Sequence, residues 1–247
     1  YISGTSIGAL IGGLYALGYS AQDIDDLLVN IDVSELLKVR FTRHDLYIGE
    51  KRWAPYGNLV LEMDDRWYPH LPSGIYASNK INLEFARFFL AAAEYPDFDS
   101  FPIPFVCIAT DLVTGEPVVF RDGSLIQAVR ASISVPSLIE PLAVGSHFYI
   151  DGGISQNMPV PLLRESGVDK VLGIKVNSAL RSREQLVDLV DVIDQTINIG
   201  ITRNLDKGQS NCDLLIDPLM EEFSSTDFKK IRKIIDFGET YAREHLD

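Results

Sequence analysis

Short apolar runs alternate with helical stretches along most of this chain, and the strand-like runs lack a polar face. Phe105 to Ala109, Val171 to Val176 and Leu214 to Ile216 are of this kind. A strand wetted on one side alternates apolar and polar residues, whereas a strand covered on both sides reads as a nearly continuous apolar run. The pattern therefore predicts an α/β fold: a mostly parallel central sheet with helices on both faces. No internal repeat and no long linker divides the chain, so residues 1–247 read as one domain.

Composition narrows the function. The chain has 247 residues, 46% of them hydrophobic and 23% charged, enough to bury a core without disulfide or metal staples. Lys plus Arg number 22 against 35 Asp plus Glu, a net charge of −13. A binder of phosphate backbones needs basic surface to displace counterions, so nucleic acid is excluded as a partner. Long-range attraction to an anionic membrane is disfavoured too, although a local apolar patch can still touch lipid. The two cysteines, Cys107 and Cys212, lie far apart and make neither a zinc motif nor a disulfide framework. They read as small buried hydrophobes, with a single bridge left open. No charge precedes Asp23, as in a membrane span or signal core. Glycines at 4, 8, 12, 13 and 18, with Ser3, Thr5, Ser6 and Ser20, make this stretch too polar and flexible for either. On this reading the chain opens in mid-fold.

The local signals are consistent with that fold. Tyr1 to Ser3 reads as the tail of a strand, Gly4 to Gly8 as a tight turn, and Ile7 to Leu17 as a helix stopped by Gly18. Gly8, Gly12 and Ala16 make a small-residue stripe that lets this helix lie close to the sheet. Ser20 caps a second helix over Ala21 to Asn30. Residues 40–77 are irregular and rich in aromatics and proline. Helix returns over Asn79 to Glu94. A turn at Val113 to Glu116 leads to a strand at Val118 to Phe120, a helix at Leu125 to Ala131 and a strand at Phe148 to Ile150. Pro159 and Gly167 bracket a short helix. Long amphipathic helices over Glu184 to Leu205 and Asp227 to His245 read as structural, with apolar faces on the sheet.

Gly4-Thr5-Ser6-Ile7-Gly8 fits G-x-S-x-G between a strand and a helix, the context of a nucleophile elbow. A serine on so sharp a turn needs neighbours without Cβ atoms, and the helix behind it aims its positive end at a developing anion. A nucleophilic serine also needs a base. Of His44, His70, His147 and His245, only His245 falls late enough for the order Ser, acid, His, and each reads better as a surface residue. Asp151 is the stronger candidate. It ends the apolar run Phe148-Tyr149-Ile150 and opens the turn Gly152-Gly153, where α/β sheets place functional groups.

Together these motifs resemble the patatin-like phospholipase family. Ala131-Ser132-Ile133-Ser134-Val135-Pro136 is similar to its Ala-Ser-x-Ser-x-Pro segment, and Thr110-Asp111-Leu112 with Thr114-Gly115-Glu116 resembles bacterial members. The resemblance runs from about Tyr1 to Asp217. It implies a patatin-like fold and a Ser-Asp dyad without histidine, with Ser6 as nucleophile and Asp151 as general base, supported by Gly4, Gly8, Gly152 and Gly153. It implies hydrolysis of phospholipids, lysophospholipids or other acyl-ester lipids, with no metal or cofactor. The family's glycine-rich oxyanion loop and the strand before it have no match, so they are expected to lie outside this chain. Within it, the Ile7 N–H is the natural oxyanion donor.

The region Tyr47 to Phe89 reads equally as a mobile cover or membrane-facing rim over an acyl trough and as a packed surface loop. A homodimer and contact with a membrane surface stay open. So does the compartment, cytoplasmic or secreted and outer-membrane-associated as an autotransporter passenger. Two alternatives compete: a non-catalytic lipid-binding or assembly module on the same fold, and an α/β-hydrolase esterase with a Ser-His-Asp triad.

Overall fold

The computed structural model describes residues 1–32, 36, 62–63, 69–70, 74–76, 79–177, 179–187, 189–218, 220, 223 and 230–246. In chain order its elements are β1 (Ile2–Thr5), α1 (Ile7–Ala16), α2 (Ala21–Asn30), β2 (Glu62–Met63), β3 (Pro69–His70), β4 (Gly74–Tyr76) and α3 (Asn79–Phe88). Then come β5 (Phe105–Asp111), β6 (Pro117–Phe120), α4 (Leu125–Ser132), β7 (Ser137–Ile139), β8 (Leu142–Val144) and β9 (His147–Asp151). The chain closes with α5 (Gly153–Gln156), α6 (Val160–Glu165), β10 (Leu172–Ile174), α7 (Leu189–Gln209), β11 (Leu214–Ile216) and α8 (Ile231–Leu246).

The predicted α/β class is observed, and β5 is its axis. All seven residues of β5 are buried. The predicted small-residue stripe works at Gly12, where a Cβ would come within 2.9 Å of the Ile2 side chain and 3.4 Å of Phe105. Leu10 and Leu14 of α1 and Ala128 and Val129 of α4 join Phe105 and Cys107 in the main core. On the other face, the Thr5 hydroxyl donates to the Gln156 carbonyl of α5. A second, smaller core holds Met158, Val160, Val171 and Leu205 beside the parallel pair β10–β11.

Strand direction is mixed. β1 runs parallel to β5, whereas β6 and β9 run antiparallel to β5, and β8 antiparallel to β9. The turn read after Asp111 and the hairpin at Gly145, both with glycine at positive φ, reverse the chain within a sheet expected to be mostly parallel.

Register decides what this sheet can build. Cys107 and Ile108 pair with β1 and β6 at once, and Ala109 and Thr110 with β6 and β9 at once. A strand has two edges, so β1 and β9 share the edge opposite β6. They approach from opposite directions and meet end to end: Thr5 lies across from Ile108, and Asp151 across from Ala109.

Helix ends follow local chemistry. Ser20 and Asp23 form a capping box on α2, and Gly18 and Gly167 take positive φ after α1 and α6. Phe85 and Phe88 of α3, with Phe89 just after it, stand at the end of the stretch read either as a rim or as a packed surface loop, and they belong to the core. One expectation needs correction. The last helix, α8, packs on α2, where Arg232 pairs with Asp25 at 2.7 Å, and buries no residue fully. Trp53, Tyr56, Trp67 and Tyr68 lie outside the described residues. Cys107 and Cys212 are both free, and Cys107 is buried. Among the described residues no helix is long and apolar enough to cross a membrane.

The elbow glycines are not equivalent. A Cβ on Gly4 would sit 2.3 Å from the Gly8 carbonyl oxygen, whereas one on Gly8 would meet nothing within 4 Å. Gly4→Ala is expected to lower the unfolding free energy by about 3 kcal/mol or more, and Gly8→Ala to raise it by about 0.5–1 kcal/mol through helix propensity. Urea titration of the two variants reads both, and equal stabilities would contradict the packing described.

Candidate active site

Ser6 follows β1 directly and precedes the first residue of α1. Its backbone lies at φ 56° and ψ −124°, and among the described residues it is the one non-glycine residue with positive φ. Such a conformation costs about 1–3 kcal/mol and persists only where its surroundings enforce it. The geometry here does so. The chain must leave β1 at the point where β9 arrives, and it turns at once into α1. Ser6 stays partly exposed, while the residue facing it is buried.

That residue is Asp151, the last of β9 and 2% exposed. Its N–H donates to the Ser134 carbonyl at 2.9 Å, and its own carbonyl accepts from the Thr110 hydroxyl at 2.9 Å. One carboxylate oxygen accepts the Gly153 N–H at 2.7 Å, an Asp turn over the second glycine. Burial pushes the carboxyl up to about 6 from its ordinary 3.8. The Ser6 hydroxyl, lying against the carboxylate as a hydrogen-bond donor, and the Gly153 N–H hold it below what burial alone would give. Gly152 lets the two strand ends meet, because a Cβ there would sit 2.1 Å from the Ile108 carbonyl oxygen and 3.0 Å from the Thr5 methyl.

The Ile7 N–H opens α1, where helical N–H groups lack internal acceptors. Among the described residues nothing accepts it, and Ile7 is 48% exposed. Ser6, Ile7 and Asp151 are thus brought together with Gly4, Gly8, Gly152 and Gly153. The histidines are not. His147 lies four residues before Asp151 on β9, and its Nδ1 pairs with Asp111 at 2.9 Å. His245 stacks on Tyr241 near the end of α8. His44 lies outside the described residues, and His70 is described only as backbone in β3. No described histidine side chain contacts Ser6. Among the described residues no group of His, Cys, Asp and Glu could hold a metal ion.

Two functional neighbours carried no assigned role at the level of sequence. The buried Ser132 hydroxyl accepts the Ser6 N–H at 2.8 Å and donates to the Ile108 carbonyl at 2.6 Å. Arg130, also buried, donates to the Ser134 hydroxyl and, at 2.9 Å, to the Glu140 carbonyl. Burial lowers its guanidinium to about 10. Serines beside a helix end look like caps or filler in sequence. Only the quoted Ala-Ser-x-Ser-x-Pro segment singled this stretch out.

A serine on a strained strand-to-helix turn, facing a buried carboxylate, places the protein among α/β proteins with a nucleophile elbow. The family model described as patatin-like phospholipase matches residues 1–164, which take in Ser6, Ser132 and Asp151. The chain belongs to the patatin-like phospholipase family. It is 26% identical over 275 residues to a patatin-like phospholipase domain-containing protein of Caenorhabditis elegans. It is 24% identical over 271 residues to patatin-like phospholipase domain-containing protein 6 of Homo sapiens. Each match covers 98% of this chain and 18% of the relative, so the chain spans under a fifth of these proteins. Lysophospholipase NTE1 of Cryptococcus neoformans is 28% identical over 177 residues, 72% of this chain and 9% of that protein. Among solved structures, VipD from Legionella pneumophila aligns over 98% of this chain and 61% of its own, with a TM-score of 0.45 and 14% identity.

The raised Asp151 carboxyl makes a stability prediction. The folded group holds its proton more tightly than the unfolded one, so its contribution is intact below about 3.8 and is lost as pH rises through about 6. The gap is worth about 3 kcal/mol at most. Asp151→Asn, which removes the charge and keeps the acceptor for Gly153, is expected to stabilise the fold by about 1–3 kcal/mol at pH 8 and by almost nothing at pH 4. Denaturant titrations at the two pH values test this, and a loss of equal size at both would contradict a buried, strained carboxylate.

Proposed function

We propose that this chain is an acyl-hydrolase domain that cleaves lipid acyl esters through a Ser6–Asp151 dyad. The observation that carries the reading is the head-to-head junction. There a partly exposed serine, on a turn only a few residue types tolerate, faces a buried carboxylate raised to about 6, which supports the reading. The family's name and the lysophospholipase among its relatives support an acyl-ester lipid as substrate. A phospholipid or lysophospholipid fits that class.

The chemistry follows from the atoms. Ser6 Oγ attacks the ester carbonyl carbon and its proton passes to Asp151. The carbonyl oxygen becomes an oxyanion, which the Ile7 N–H and the positive end of α1 stabilise. Collapse breaks the bond to the leaving oxygen, and Asp151 returns the proton to the departing alcohol. Water then gives a proton to Asp151 and attacks the acyl-enzyme. A second collapse releases the fatty acid and restores Ser6. A carboxylate near 6 is a better base than one at its ordinary value, because it binds the proton more firmly when the transfer occurs. Holding the oxygen in line supplies much of the remaining acceleration. No step calls on an imidazole or a metal.

Ser6→Ala is expected to lose at least 10³-fold in ester turnover without loss of stability, and Asp151→Asn to lose a similar factor. In the parent protein, kcat/KM is expected to fall below about pH 6 and to level off above it, as the base takes its proton. His245→Ala is expected to turn over like the parent. Hydrolysis of a short-chain ester and of a lysophospholipid across pH 4–9 by the parent and the three variants measures these activities. Undiminished turnover in Ser6→Ala would end the proposal.

A further inference from the structure

We propose that the Ser132 hydroxyl is a positioning group, a wedge that holds Ser6 off the end of the β1–β5 ladder and so keeps the nucleophile in its reactive turn. The inference rests on Ser6 being the nucleophile, as proposed above.

The Ile2 N–H donates to the Pro104 carbonyl at 2.8 Å. In a parallel pair this fixes which N–H groups of β1 point at β5, and they recur every second residue. With Ile2 across from Phe105 and Thr5 across from Ile108, the series runs Ile2, Gly4, Ser6. The next acceptor due for the Ser6 N–H is therefore the Ile108 carbonyl. That bond is not made directly. The Ser132 hydroxyl stands in the gap, accepting from Ser6 N–H at 2.8 Å and donating to Ile108 O at 2.6 Å. One side chain thus satisfies both backbone groups while keeping them apart. Ser6, freed from extended geometry, takes φ 56°.

The same short segment holds the other strand end. The Gly152 N–H reaches the Ser132 carbonyl at 3.4 Å, and the Asp151 N–H donates to the Ser134 carbonyl at 2.9 Å. The last turn of α4 is anchored in turn by Arg130, which reaches Ser134 and the Glu140 carbonyl. The Ser132 hydroxyl differs from the backbone contacts of Gly152 and Asp151 because substitution can remove it. Without it, Ser6 N–H and Ile108 O face each other as unpaired groups and close into the missing rung. Ser6 is drawn toward extended backbone and its Oγ swings away from Asp151.

The test uses the full chain and compares Ser132→Ala, Ser132→Val and Ser132→Thr with the parent and with Ser6→Ala. A fluorophosphonate ester reports nucleophile reactivity, and steady-state ester hydrolysis separates kcat from KM. Ser132→Ala and Ser132→Val are expected to lose on the order of 10²-fold in labelling rate and kcat, with KM within a few fold. Ser132→Thr, which restores the hydroxyl, is expected to recover most of both. The pH midpoint is expected to move up in Ser132→Ala and Ser132→Val, because the Ser6 hydroxyl that holds the Asp151 carboxyl down has left it, and to return in Ser132→Thr. A folded Ser132→Ala that labels at the parent rate overturns the proposal. If Ser132→Ala does not fold, the comparison of Thr with Val decides, since the two share a shape and differ in the hydroxyl. Equal loss in both overturns it. Crystal structures of the variants read the Ser6 φ directly. An unchanged positive φ without the hydroxyl refutes the wedge whatever the reactivity. An unreactive Ser6 in the parent, with φ still shifted in Ser132→Ala, refutes the proposed function and leaves the wedge standing.

Discussion

Two strand ends that meet on one edge of a third strand are the constraint on which the rest of this molecule depends. β5 lends the first part of that edge to β1 and the last part to β9, and the two run toward each other. Neither can continue past the junction. The chain after Thr5 must turn into a helix, and the chain after Asp151 must turn through glycine. That collision is feasible because Gly152 has no Cβ to strike the Ile108 carbonyl oxygen. The strained serine turn and the buried carboxylate therefore arise at the same point for the same reason, which is the geometry the proposed dyad needs.

The junction is costly, and the surrounding fold offsets the cost. Ser6 carries an unfavourable backbone conformation and Asp151 a poorly solvated carboxylate. Against them stand the buried length of β5 and the aromatic packing beneath it, where Phe98 stacks on Phe101 and Phe85 meets Phe89 edge-on. Polar groups at the junction are paired with backbone: Thr110 with the Asp151 carbonyl, Thr5 with Gln156, and Ser132 with Ser6 and Ile108. Dipoles fixed in this way are what a reaction that develops charge requires.

Much of this was legible in the residues, and the exceptions have physical causes. Ser6 stands out because glycine must occupy position 4, where the helix returns over the strand, and Asp151 stands out because glycine must occupy position 152. Gly8 fitted the same motif, but its missing Cβ frees no space in the structure. The layer order was readable from the apolar character of β5. The reversing turns at Gly115 and Gly145 are legible as turns, but β6, β8 and β9 are three to five residues long, too short for the alternation that marks an antiparallel sheet. Ser132 could be quoted as part of a pattern, but its role could not be read. A hydroxyl placed between two backbone groups 24 residues and more away in sequence leaves no local signature. The amphipathic C-terminal helix was read as lying on the sheet because its apolar stripe names no partner, and in the structure it lies on α2.

The central claim is that the serine at the end of β1 and the aspartate at the end of β9 work as one chemical unit. A crystal structure of the protein after reaction with a fluorophosphonate ester tests it most directly. The account predicts phosphorus bonded to Ser6 Oγ, the phosphoryl oxygen within hydrogen-bonding distance of the Ile7 N–H, and the Asp151 carboxylate within reach of Oγ. Phosphorus on any other residue, or a Ser6 adduct with the Asp151 carboxylate turned away from it, would contradict the account.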